Sequence, residues 1–116
     1  MKQKDLFLSY IKNGNDNEYL FLIKGNGSNL VDYFIDKLTA NLEVMDIHLQ
    51  KCAKHSNGKQ KNFIRERKNG EKCFSAKFCV LTLDPETALI NIIELFICDN
   101  QIRVKKTEDP AYIVIV

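Results

Sequence analysis

The apolar pattern of this chain changes period several times, and that succession restricts the possible folds more than any single motif. Glu18 to Lys24 (EYLFLIK) is a short aromatic and branched run closed by Gly25-Asn26-Gly27, the signature of a strand. Leu30, Val31, Phe34, Ile35, Leu38 and Leu42 then recur at three- and four-residue intervals, with Asp32, Asp36 and Lys37 on the other face. This predicts an amphipathic helix capped by Ser28 or Asn29. From Val44 the period falls to two, with Met45, Ile47 and Leu49 opposing Asp46, His48 and Gln50.

A hairpin follows. Phe63 and Ile64 begin or flank a strand between the turns Ser56-Asn57-Gly58 and Lys68-Asn69-Gly70, and Phe74, Ala76, Phe78 and Val80 alternate with Cys73, Ser75, Lys77, Cys79 and Leu81 as far as about Leu83. Asp84-Pro85-Glu86 starts a second helix: the carboxylate accepts free amide hydrogens, Pro suits the first helical position and Glu86 faces the positive dipole end. Its apolar stripe is Leu89, Ile92, Ile93 and Phe96, and Asp99-Asn100 ends it before a strand over Gln101 to Thr107. Asp109-Pro110 breaks the chain ahead of an extended Tyr112 to Val116.

Strand, helix, strand, strand, helix, strand is the order of an α+β, ferredoxin-like two-layer sandwich. Its βαββαβ path puts two helices on one face of a four-stranded antiparallel sheet and leaves the other face open. At 116 residues, 45% of them apolar, the chain suits one domain. We divide it into an N-terminal extension (1–17), the ferredoxin-like unit (18–110) and an apolar tail (111–116), the two ends being candidates for added strands or for docking on a neighbour. Lys2, Lys4, Leu6, Phe7, Leu8 and Ile11 give the first segment a weak organellar-leader character that Asp5 and Asp16 oppose. No apolar run approaches the roughly 18 residues that span a bilayer.

Charge is unevenly distributed. The total is 17 − 15 = +2, yet Lys51 to Lys72 holds eight cations against Glu66 and Glu71, a balance of +6, so the other 94 residues carry −4. One basic segment on a mildly acidic body fits an element that meets an anion; a solvated basic loop is the plainer alternative. Phe63 and Ile64 scaffold the segment within a hairpin, and Arg103, Lys105 and Lys106 on the last strand are candidates to extend the positive surface.

Other chemistry is weakly encoded. Cys52, Cys73, Cys79 and Cys98 contain no Cys-x-x-Cys pair and fit reduced thiols packed as small hydrophobes in a reducing compartment. Cys52, His55 and His48 make only half a zinc site, so no metal or cofactor is expected. Gly25-Asn26-Gly27-Ser28 precedes a helix but lacks both the dinucleotide fingerprint and the Lys-Ser/Thr of a nucleotide loop, so a turn with a cap is favoured. Asp32 and Asp36 fall on a wet face, and no nucleophile-base-acid constellation is evident, so the chain is not expected to be an enzyme.

Residues 18 to 110 resemble the bacterial-type small-subunit ribosomal protein six family in length and element order. The resemblance is carried by Leu83-Asp84-Pro85-Glu86 opening the second helix, by Cys98-Asp99-Asn100-Gln101-Ile102-Arg103-Val104 leading into the last strand, and by Gly58-Lys59-Gln60-Lys61, where the family has a Gly followed by basic residues. It departs where Phe63-Ile64-Arg65 replaces the family's small residue-Tyr-Pro step. The resemblance implies a non-catalytic, RNA-binding ribonucleoprotein subunit on the ribosome, in bacterial cytoplasm or a mitochondrion. Its partners would be small-subunit ribosomal RNA and small-subunit ribosomal protein eighteen, the latter meeting the open sheet face and the chain ends. The expected phosphate contacts are Lys59, Lys61, Arg65, Arg67, Lys68, Arg103 and Lys105. The alternative is a small cytoplasmic immunity or inhibitor protein that masks a toxin or nuclease; a partner of that kind is usually basic and calls for an acidic patch.

Overall fold

The computed structural model describes residues 5–14, 17–25, 30–51, 53–54, 58, 60–68, 72–99, 103–106 and 111–115. For Asp5, Ala53, Lys54, Gln60, Lys68, Lys72 and every residue after Leu95, the description extends to the backbone alone. The elements are β1 (Asp5–Lys12), β2 (Glu18–Gly25), α1 (Leu30–Ala40), β3 (His48–Gln50), β4 (Ala53–Lys54), β5 (Gln60–Lys61), β6 (Phe63–Lys68), β7 (Lys72–Leu81), α2 (Pro85–Asp99), β8 (Arg103–Lys106) and β9 (Ala111–Ile115). The capping residues proposed for α1, Ser28 and Asn29, lie outside the described residues.

The architecture is α+β, an antiparallel sheet with two helices. Seven strands form the sheet in the order β3-β7-β2-β1-β9-β8, with β6 sharing the outer edge of β7 with β3; β4 and β5 make a separate two-stranded ladder. The sheet is thus wider than the four strands expected, and the difference comes from the two chain ends. The supposed N-terminal extension supplies β1, which pairs with β2 on one side and β9 on the other. Its alternation of Leu6, Leu8 and Tyr10 with Phe7, Ser9 and Ile11 is itself a strand pattern. The loop after it closes through Gly14 (φ 73°) and Asn17 (φ 66°), residues that tolerate the left-handed region, while Asn13 N–H donates to the Glu18 carbonyl at 2.9 Å.

Register places Leu6 and Leu8 of β1, Phe21 and Ile23 of β2, and Ala76, Phe78 and Val80 of β7 on one face, all essentially buried. Val31, Phe34, Ile35 and Leu38 of α1 and Leu89, Ile92 and Ile93 of α2 pack on that face in the same core. Aromatic rings run through it, with the Phe21 and Phe63 centroids each 5.4 Å from Phe78. Gly25 lets α1 approach closely, because a Cβ there would meet Val31 Cγ2 at 3.0 Å. Packing accounts for this glycine without any phosphate.

Three local expectations are corrected. Residues 41–46 form turns, Asp46 taking φ 54°, so β3 starts only at His48, although Ile47 is still buried and Met45 and Leu49 still pack on the core. In β7 the alternation shifts at a bulge: Glu66 pairs with Ser75 but Arg67 with Cys73, leaving Phe74 unmatched. Cys73 turns inward, buried, while Phe74 is half-buried. Finally, the cysteines are not uniformly reduced. Cys73 is free, its Sγ–H donating to the Ser75 carbonyl at 3.3 Å, whereas Cys79 is disulfide-bonded.

The start of α2 forms as its sequence implies. Asp84 accepts the Thr87 N–H at 3.1 Å on Oδ1 and the Thr87 hydroxyl at 2.6 Å on Oδ2. These bonds hold its carboxyl below the usual carboxylate range.

Candidate nucleic-acid interface

The basic segment is built on the β6 edge. Residues two apart on a strand share a face, so Arg65 and Arg67 both point toward α1, where Asp32 in the first helical turn meets them. Arg65 Nη1 donates to Asp32 Oδ1 at 2.5 Å, and Arg67 Nη1 lies 3.7 Å from Asp32 Oδ2. One carboxylate therefore holds two guanidiniums side by side. Their side chains remain 32% and 42% exposed, and a guanidinium carries five donors, so the pair still presents N–H groups outward. Lys61 at the end of β5 and Lys51 after β3 are exposed.

The remaining expected contacts are placed differently. Lys59 lies outside the described residues, and Lys68 ends β6. Arg103 and Lys105 lie on β8, at the opposite edge of the sheet. Five interstrand spacings separate β6 from β8, about 24 Å at ~4.8 Å each. The structure thus does not gather Arg103, Lys105 and Lys106 into the β5–β6 surface: β1 and β9 widen the sheet between them.

A second surface was not anticipated from the sequence. A groove of about 640 Å³ opens where β7 runs into α2, lined by residues including Asn17, Asp46, His48, Leu83, Asp84 and Asn91, with no Lys or Arg. Asp46 Oδ1 and His48 Nε2 lie 3.1 Å apart, and both side chains are exposed. Val44 is 87% and Leu83 85% exposed nearby, giving an apolar rim beside carboxylates. In the sequence Asp84 is a helix cap, and His48 is a wet-face strand residue and part of half a zinc site; the turn over residues 41–46 interrupts the expected strand and leaves no periodic signal that would join them in a groove.

The thiols offer no exposed nucleophile among the described residues. Burial, with the Asp32 carboxylate adding to it, pushes the Cys73 thiol up, and the Cys79 sulfur is already bonded, also accepting from Asn13 Nδ2 at 3.7 Å. No three His, Cys, Asp or Glu side chains converge as metal ligands among the described residues, and no helix there is long and apolar enough to cross a membrane. No protein-family model, curated protein or solved structure matches the chain.

Proposed function

We propose that this chain is a non-catalytic RNA-binding protein that engages phosphates along the β5–β6 edge. The observation that carries the reading is the Arg65–Asp32–Arg67 arrangement, in which one helix carboxylate fixes two guanidiniums. Holding the forks in place reduces the side-chain entropy lost when they meet phosphate, and Arg binds phosphate bidentately. The resemblance to the ribosomal protein six family supplies the setting: small-subunit ribosomal RNA, with ribosomal protein eighteen as neighbour. The Cys79 disulfide weighs against a cytosolic setting, because cytosolic thiols are kept reduced.

The element order supports a ferredoxin-like description of the core. β2, α1, β6, β7, α2 and β8 follow in the required sequence, and β7 lies between β2 and β6. β1 and β9 stand between β2 and β8. Two antiparallel inserts preserve direction, so β8 still runs opposite to β2.

Binding to a structured RNA should weaken steeply with salt, and Arg65→Gln with Arg67→Gln should reduce the slope of log K against log salt by about 2. Salt-independent binding, or none, would exclude the reading. The second reading, an inhibitor of a basic toxin or nuclease, is favoured by the groove's apolar rim and its Asp46 and Asp84 carboxylates. Under it, Leu83→Lys rather than the Arg65 and Arg67 substitutions would abolish partner binding.

A further inference from the structure

Cys79 is disulfide-bonded and Cys73 is free, so the second sulfur of the bond belongs to Cys52 or Cys98. The two faces of the sheet separate these candidates. Phe78 and Val80 point into the core beneath the helices, so Cys79 between them leaves β7 on the opposite side, away from α1 and α2. Cys98 is in the last turn of α2, whose Leu89, Ile92 and Ile93 pack in that core. The Cβ atoms of a disulfide are about 3.5–4.5 Å apart, and side chains on opposite sides of a sheet do not approach that closely. Cys52 is placed otherwise. Gln50 of β3 is directly opposite Cys79 in the ladder, so the two share a side, and Cys52 follows Gln50 by two residues. Beyond Gln50 the same edge of β7 is taken by β6, Phe63 pairing with Phe78, so the chain leaves the ladder at Lys51. Cys79 is only 3% exposed although Gln50 beside it is exposed.

We propose that the bond is Cys52–Cys79 and that it pins the start of the basic segment to the side of β7 away from the helices. Cys52 lies outside the described residues, and the assignment rests on Gln50, Cys79 and the exclusion of Cys98. Seven of the eight cations between Lys51 and Lys72 then fall inside one covalently closed loop, together with β4, β5 and β6. The oxidant is a small disulfide of the glutathione class. One cysteine thiolate attacks it and expels one small thiolate, the other cysteine attacks the mixed disulfide and expels the second, and the two cysteine protons end on the released thiols as two electrons pass to the oxidant. The assignment holds whether or not the segment binds RNA.

Digestion of the oxidised full chain by trypsin and a glutamate-specific protease, without reductant, tests it, because Glu86 and Glu94 part Cys79 from Cys98. Mass spectrometry should find residues 52–54 joined to residues 78–86. Residues 78–86 joined to residues 95–103, or carrying a free thiol, overturn the assignment. Thiol titration of the unfolded, unreduced chain should count two thiols in the wild type, three in Cys52→Ser and one in Cys98→Ser; one in Cys52→Ser and three in Cys98→Ser overturns it. The pinning is read by limited tryptic digestion of the folded chain. Cleavage after Lys54 and Lys61 should be about fivefold faster in Cys52→Ser and in the reduced wild type than in the oxidised wild type, with Cys98→Ser unchanged. Equal rates in all four overturn the pinning.

Discussion

Asp32 shows how a single side chain changes the meaning of a charge count. In the sequence it is a solvated carboxylate on the wet face of α1, and Arg65 and Arg67 are free cations; in the fold the three form one cluster. The helix period places Asp32 outward but is silent on which strand edge passes in front of it, because contacts 33 residues apart are set by packing. The cluster is partly exposed, so Asp32→Asn should lower stability in urea by no more than about 1 kcal/mol. Asp84, by contrast, was legible at once, since a cap is a local device. Its folded carboxyl titrates below its unfolded value, so its contribution is fully present above the unfolded value and is lost as pH falls through the folded one. Asp84→Asn should therefore melt below the wild type at neutral pH, and the gap should close as the buffer is acidified past the carboxylate range.

At the scale of elements, apolar periodicity identified both helices and β2, β6 and β7, because each buries one face and carries the matching pattern. It misassigned Phe74 because a bulge changes parity without changing composition. This separates two phenylalanines that alternation alone makes equivalent. Phe78→Ala, in contact with Phe21 and Phe63, should cost about 3–5 kcal/mol in a denaturant melt, whereas Phe74→Ala should cost clearly less. β1 was overlooked for another reason. Its alternation is clear, but one of its two partner strands, β9, is more than a hundred residues away, and such pairing has no local signature.

For the whole molecule, the chain ends matter most. By entering the sheet as β1 and β9 they widen it, move β8 to the far edge and divide the basic residues between two edges. The Arg65–Asp32–Arg67 cluster therefore lies at one edge of the sheet and β8 at the other. The Cys79 disulfide also belongs to this scale, since a crosslink acts by restricting the unfolded chain as well as the native one. A reductant should lower the melting temperature of the wild type and leave that of Cys79→Ala unchanged. Spacing did not reveal the bond, because the four cysteines form no recognisable framework.

The most direct test of the central claim compares the two edges. Structured-RNA affinity should be titrated against salt for the wild type, for Arg65→Gln/Arg67→Gln and for Arg103→Gln/Lys105→Gln. The account predicts a slope reduced by about 2 for the β6 pair and unchanged for the β8 pair. An equal reduction from both pairs, or a wild type whose affinity ignores salt, would contradict it.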